Sequence, residues 1–115
     1  MLSMGRALPK KHGDPADKHF IGEPQKNIIL LEDVTTTGAS MLNTLDQLLS
    51  LKKTVIACIG LTNRETNDLA TSITQACNKR QVPYYSLSQA KSLLTSLKRT
   101  SKHSNIIEKE LENLP

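Results

Sequence analysis

Residues 27–40 read NIILLEDVTTTGAS, and this stretch decides the fold that we predict. It opens with a continuous apolar run, Asn27 to Leu31, which is typical of a strand buried on both faces of a parallel sheet. It ends in small hydroxylated residues and Gly38. An apolar stripe at helical spacing follows directly, formed by Met41, Leu42, Leu45, Leu48 and Leu49. The stretch therefore predicts a buried strand, a turn and a helix.

The rest of the chain continues this alternation of strands and helices. A second buried strand is predicted over 55–61 and a short third strand over 82–85, and helical stripes follow each of them. The first stripe comprises Leu69, Ala70, Ile73, Ala76 and Cys77; the second runs from Leu87 to Leu97. Ser86 and Gln89 have the spacing of a capping box, and a last short helix follows Asn105. This order predicts an α/β fold with parallel strands and flanking helices.

The first 26 residues differ from the rest. Gly and Pro recur every few positions, with basic residues and two histidines between them. Gly and Pro at this frequency disfavour both helix and strand. We therefore divide the chain into a mobile basic loop over 1–26 and an α/β domain over 27–115.

Composition limits the class of protein. A chain of 115 residues with 37% hydrophobic residues holds one domain with a small core. No apolar run approaches ~18 residues and the N-terminus lacks an apolar signal core, so we expect a cytoplasmic protein without a membrane span. Cys58 and Cys77 have no metal-type spacing and are expected to be reduced, partly buried thiols.

Net charge is +4, which suits a phosphate-bearing ligand. The basic cluster Lys98, Arg99 and Lys102 lies at a predicted helix end and is interpreted as a favourable match to the helix dipole. No aromatic residues are interleaved with it, so nucleic acid is an unlikely partner.

The candidate chemistry lies in residues 32–40. A loop of small and hydroxylated residues at a helix N-terminus can surround a phosphate with N–H and O–H groups. Glu32 and Asp33 just before it would repel a phosphate but can accept hydrogen bonds from sugar hydroxyls. Together they describe a ribose 5-phosphate site. The alternative is an ordinary N-cap with acidic residues near a helix dipole.

Residues 27–40 resemble the phosphoribosyl pyrophosphate (PRPP) signature of the type I phosphoribosyltransferases, and more closely that of the orotate phosphoribosyltransferases. Two further segments support this resemblance. Residues 6–13, RALPKKHG, resemble the mobile catalytic loop of that family, and residues 62–65, TNRE, resemble the element after its next strand. The resemblance implies the C-terminal part of a type I phosphoribosyltransferase fold.

The same resemblance implies roles for individual residues. Arg6, Lys10 and His12 would close over the leaving pyrophosphate as catalytic residues, and Thr36 and Arg64 would bind orotate. Mg²⁺ would be carried by pyrophosphate and ribose oxygens, without a protein metal ligand. The partners would be PRPP, orotate and a second subunit, in a homodimer or with a complementing chain. The implied ribose 5-phosphate site comprises Glu32, Asp33, Val34, Thr35, Thr36, Thr37, Gly38, Ala39 and Ser40.

The sequence also departs from the family pattern. Ala7 replaces a loop Lys, Ala39 replaces a hydroxylated residue and Asn63 replaces an Asp. The N-terminal part of the family's domain is absent, so we expect a fragment, a truncated product or half of a split enzyme. Two other functions stay open: a non-catalytic PRPP-binding or regulatory relative, and a phosphoribosyltransferase for another base.

Overall fold

The structure is a computed structural model that describes residues 2–6, 10–13, 18–65 and 72–114. Its strands and helices alternate along most of the chain. In chain order they are β1 (Met4–Gly5), β2 (Phe20–Ile21), β3 (Asn27–Thr35), α1 (Ala39–Ser50), β4 (Thr54–Asn63), α2 (Ile73–Asn78), β5 (Tyr84–Gln89), α3 (Ala90–Lys98) and α4 (Ser104–Glu112).

The main sheet has three parallel strands in the order β3-β4-β5. This confirms the α/β fold class and the parallel strands predicted from the sequence. The register places Thr35 opposite Asn63 and Asn63 opposite Gln89, so the carboxyl ends of all three strands meet at one edge. That edge is where open parallel sheets bind their ligands.

The core lies between this sheet and the helices that contact it. Helix α1 buries Met41, Leu45 and Leu48 against β3 and β4, and α2 packs on β5. This follows from the apolar stripe of α1, which recurs at helical spacing. Among the described residues no helix is long and apolar enough to cross a membrane.

Cys58 and Cys77 are free thiols within this core. Both side chains are completely buried, which is deeper than the partial burial predicted from the sequence. Contact with the Cys77 thiol, together with burial, raises the pKa of Cys58, so Cys58 stays protonated. The pair therefore serves here as apolar packing.

The prediction that β3 is buried on both faces is wrong. Ile29 and Leu31 are 54% and 57% exposed, and Leu61, Tyr85 and Leu87 on the neighbouring strands are exposed beside them. The helices cover the opposite face, which carries Leu30, Cys58 and Tyr84. We call the uncovered apolar surface formed by Ile29, Leu31, Leu61, Tyr85 and Leu87 the open face.

Strand β5 is longer than the third strand that the sequence predicts, and the prediction of a capping box at Ser86 and Gln89 is wrong. Gln89 is extended (φ −114°, ψ 125°) and pairs with Asn63 on β4, so the helix begins only at Ala90. Ser86 lies within β5 and accepts a hydrogen bond from the Gln89 side chain, 3.0 Å away. Pairing with β4 has overridden the local helix signal.

The described part of the N-terminal segment contains two short strands, against the prediction of neither helix nor strand. Met4 pairs with Ile21 and Gly5 with Phe20 in an antiparallel ladder. The Phe20 side chain is buried in the core, which explains why the ladder forms. Residues 7–9 and 14–17 of the expected loop lie outside the described residues, as do Leu69 and Ala70 of the second helical stripe.

We expect Leu45→Ala to lower the free energy of unfolding by about 2–5 kcal/mol, because the Leu45 side chain is fully buried between α1 and the sheet. Urea denaturation followed by circular dichroism measures this loss. Leu97→Ala is the control, since Leu97 is 52% exposed on α3 and its loss should cost less than about 0.5 kcal/mol. Equal losses would contradict the described core.

Candidate functional site

A small cavity lies where β3 passes into α1. Its volume is about 180 Å³, equal to about six water molecules at ~30 Å³ each, so a phosphate group fits. Helix α1 points its N-terminus at this cavity, and the N–H groups of a first helical turn have no partner within the helix. The lining residues are Glu32, Val34, Thr35, Thr36, Thr37, Gly38, Ala39, Ser40 and Met41.

Gly38 is the residue that lets the loop turn into α1. Its backbone is left-handed (φ 73°, ψ 3°), a conformation that other residues adopt at a cost. A Cβ at this position would also collide with the Ile73 side chain at the start of α2. Glycine is thus required here for two separate reasons, and the turn is held tightly against α2.

The Thr35 side chain fixes the start of the loop. It is buried, and its hydroxyl lies 2.6 Å from the Tyr84 hydroxyl on β5 and 3.4 Å from Oδ1 of Asn63 on β4. Gly60 makes this contact possible, because a Cβ there would lie 2.6 Å from the Tyr84 hydroxyl. The hydroxyl of Thr35 therefore bonds within the protein, while the residue lines the cavity.

Burial affects the acidity of this hydroxyl cluster. It raises the pKa of Tyr84, with the Thr35 hydrogen bond acting in the opposite direction. Tyr84 thus stays neutral through the physiological range and holds Thr35 as an uncharged hydrogen-bond partner.

A second set of hydrogen bonds ties the ends of β3 and β4 to α2. The Arg64 backbone N–H donates to the Thr35 carbonyl at 2.8 Å, which brings Arg64 beside the loop. Asn63 Oδ1 accepts from the Glu65 N–H, and the Glu65 carboxylate accepts from the Ile73 N–H at 3.0 Å. These bonds connect the loop with Arg64, a predicted orotate-binding residue that directly follows β4.

The two acidic residues differ in their placement. Glu32 is half-buried and lines the small cavity. Asp33 is exposed, and its Oδ1 accepts a hydrogen bond from the Val34 N–H at 2.7 Å. Glu32 is therefore the carboxylate next to the phosphate-sized space, whereas Asp33 lines neither this cavity nor its larger neighbour.

The predicted catalytic residues lie between β1 and β2 in the sequence. Arg6 donates from Nε to the Phe20 carbonyl and, with Glu32, lines a larger neighbouring cavity. Lys10 is exposed, with its N–H bonded to the Lys18 carbonyl, and His12 is exposed. Within the described residues neither Lys10 nor His12 lines either cavity, so of the three only Arg6 shares a cavity with Glu32.

This arrangement can bind an anion at the helix N-terminus and hydroxyl groups at Glu32. In the described part of the chain no three His, Cys, Asp or Glu side chains come together as a metal site.

Sequence reasoning missed the residues that support the loop from behind. The sequence assigns no role in the site to Tyr84 or Gly60, and Asn63 enters only as a departure from the family pattern. Asn63 alone lies at the carboxyl end of a strand, whereas Gly60 lies within β4 and Tyr84 begins β5. Which side chains meet there depends on register, and the sequence does not supply it.

Comparison with known proteins supports the fold. Leishmania donovani UMP synthase is similar over 90% of this chain and 23% of its own, with 18% identity and a TM-score of 0.62. Mycobacterium tuberculosis orotate phosphoribosyltransferase is similar over 76% of this chain and 47% of its own, with 20% identity and a TM-score of 0.59. The Aeropyrum pernix orotate phosphoribosyltransferase is similar over 65% of this chain and 42% of its own, with 24% identity and a TM-score of 0.55.

The chain thus has part of a phosphoribosyltransferase fold, as the sequence resemblance implied. These identities show the fold alone. The chain spans 47% and 42% of the two orotate phosphoribosyltransferases, which is less than half of each. No family model matches the chain, and no curated protein matches it.

We expect Tyr84→Phe to lower the free energy of unfolding by about 0.5–1.5 kcal/mol, because it removes the hydroxyl that bonds Thr35 at 2.6 Å. It should also weaken phosphate binding at the loop that Thr35 anchors. Thermal unfolding and phosphate titration by NMR measure both effects. Tyr85→Phe is the matched control, since Tyr85 is 57% exposed on the next position. No difference between the two variants would argue against the anchoring role.

Proposed function

We propose that the chain is phosphoribosyltransferase-like and binds the ribose 5-phosphate portion of PRPP in the small cavity. The observation that carries this proposal is the phosphate-sized space at the N-terminus of α1 with the Glu32 carboxylate on its wall. The helix dipole favours an anion there, although the Ala39 N–H already donates to the Thr37 hydroxyl at 3.3 Å. Carboxylates accept hydrogen bonds from the vicinal hydroxyls of ribose, which gives Glu32 and Asp33 a role in the same ligand.

We propose orotate as the acceptor base. In the transfer, N1 of orotate forms a bond to the anomeric carbon of PRPP and loses its proton to the departing pyrophosphate, and the bond from that carbon to pyrophosphate breaks. Pyrophosphate, which carries Mg²⁺, leaves with the electron pair. Arg64 is the residue proposed to pair with the orotate carboxylate, since a guanidinium forms bidentate bonds with carboxylates. Its backbone contact with Thr35 supports this by placing it beside the loop.

The proposed catalytic residues act on the leaving group. Arg6, Lys10 and His12 supply positive charge or protons to pyrophosphate, and closing of their segment would exclude water. The contribution of Arg6 is supported by its place on the cavity that Glu32 shares. Thr36, half-buried on the loop wall, is proposed to contact the base.

A binding or regulatory relative is the second candidate function. It is favoured by Ala7, which stands where the resemblance has a second loop Lys. It is also favoured by the length of the chain, which spans less than half of the orotate phosphoribosyltransferases it is similar to. In this case the ribose-phosphate site would bind its ligand without transfer.

Ribose 5-phosphate binding tests the site under both functions. We expect Glu32→Gln to weaken binding about tenfold to a hundredfold, because a charge-assisted hydrogen bond contributes about 1.5–3 kcal/mol. Isothermal titration calorimetry measures the dissociation constants. Glu110→Gln makes the same change on the exposed surface of α4 and should leave binding unchanged. If both variants bind as the unaltered chain does, Glu32 does not hold the sugar.

A turnover assay distinguishes the proposed transferase from a relative that only binds the ligand. With PRPP, Mg²⁺ and orotate, we expect loss of orotate absorbance, and we expect Lys10→Ala to reduce its rate at least tenfold with less than a twofold change in ribose 5-phosphate affinity. Lys109→Ala, on exposed α4, is the control for removing a positive charge. Ribose 5-phosphate binding without turnover would favour the regulatory relative.

A further inference from the structure

We infer that Glu65 is a positioning residue for the small cavity, acting on the loop between β3 and α1 through Ile73. Glu65 is half-buried and is not among the residues that line the small cavity. Its Oε1 accepts a hydrogen bond from the Ile73 N–H, eight residues further on, at 3.0 Å. The inference rests on the proposed function, because it concerns the affinity of this cavity for ribose 5-phosphate.

Ile73 carries the effect of Glu65 to the loop. It is the first residue of α2, and its side chain is buried. Three of its side-chain carbons, Cβ, Cγ1 and Cδ1, lie where they would obstruct a Cβ on Gly38. Gly38 is the N-cap residue of α1 and lines the small cavity. The position of Ile73 therefore sets how far the end of the loop can turn inward.

The Ile73 N–H needs the acceptor that Glu65 provides. The first N–H groups of a helix have no carbonyl partner within that helix. The Ser72 hydroxyl accepts from the Gln75 N–H at 3.3 Å, and the Glu65 carboxylate accepts from the Ile73 N–H. A buried N–H that loses its acceptor is costly, so without Glu65 the start of α2 would move until this group finds another partner.

Glu65 is itself held by the residues that fix the other end of the loop. Its N–H donates to Asn63 Oδ1 at 2.9 Å, and the same oxygen lies 3.4 Å from the Thr35 hydroxyl. Contacts thus join the two ends of the loop in a closed series, formed by Thr35, Asn63, Glu65, Ile73 and Gly38. A loop held in this way is ordered before its ligand arrives, which reduces the entropy lost on binding.

Two substitutions separate the reach of the Glu65 side chain from its charge. Glu65→Gln keeps an oxygen at the same reach without the charge, whereas Glu65→Asp keeps the charge on a side chain shorter by one methylene. We expect Glu65→Asp to weaken ribose 5-phosphate binding about tenfold and Glu65→Gln to stay within about twofold, because the lost hydrogen bond depends on reach. Isothermal titration calorimetry measures both, at a temperature where circular dichroism shows each variant folded.

The matched control is Glu110→Asp, which removes the same methylene on the exposed surface of α4 and should leave binding unchanged. NMR of the ligand-free chain gives a second measurement. Glu65→Asp should shift the amide resonances of residues 38–40, and Glu65→Gln should restore them. If the unaltered chain fails to bind ribose 5-phosphate, the proposed function is wrong, and these resonances still decide the role of Glu65.

Several results would overturn the inference. Unchanged loop resonances in Glu65→Asp would show that Glu65 does not position the loop. Retained affinity with a lower unfolding temperature would give Glu65 a structural role alone. Equal weakening by Asp and Gln, or stronger weakening by Gln, would show that its charge matters and its reach does not.

A double substitution tests the route through Ile73. Ile73→Val removes Cδ1, the Ile73 atom nearest to the space beside Gly38, and should also weaken binding. Combined with Glu65→Asp, it should weaken binding by less than the product of the two single effects, because both changes loosen the same contact. Effects that multiply fully would show that Glu65 acts independently of Ile73, contrary to the inference.

Discussion

The hydroxyl cluster of Thr35, Tyr84 and Asn63 is the interaction on which the site depends. It joins the carboxyl ends of β3 and β4 to the first residue of β5. Because Thr35 is buried and bonded from behind, the residues after it are directed to the surface, where they form the phosphate-sized space. Gly60 supports this arrangement because it leaves room for the Tyr84 hydroxyl. Gly38 supports it because it allows the chain to turn closely against Ile73.

The same sheet is covered on one face and uncovered on the other. Helices α1 and α2 close the face that holds the core, whereas the open face presents apolar side chains to solvent. The loop is supported by buried contacts within the chain, and the neighbouring cavity of about 700 Å³ has both Arg6 and Glu32 on its wall.

Prediction from sequence succeeded where local pattern and packing agreed. The apolar run at 27–31 and the stripe through Leu45 placed β3 and α1, and their junction placed the loop. It failed at β5, where pairing of Gln89 with Asn63 overrode a capping signal, and at Phe20, where burial in the core stabilised a ladder within a segment rich in Gly and Pro. Both errors arise from contacts between residues far apart in the chain.

The sequence by itself determined the order of strands and helices from residue 27 onward, the parallel α/β class and the position of the acidic and hydroxylated loop, because these depend on periodicity and on residue types that are adjacent in the chain. Tertiary structure alone decided that Thr35 bonds inward to Tyr84, that Glu32 rather than Asp33 borders the cavity, and that one face of the sheet is uncovered. These properties depend on register, twist and the number of covering helices. They are set by packing between distant segments, and no local pattern encodes them.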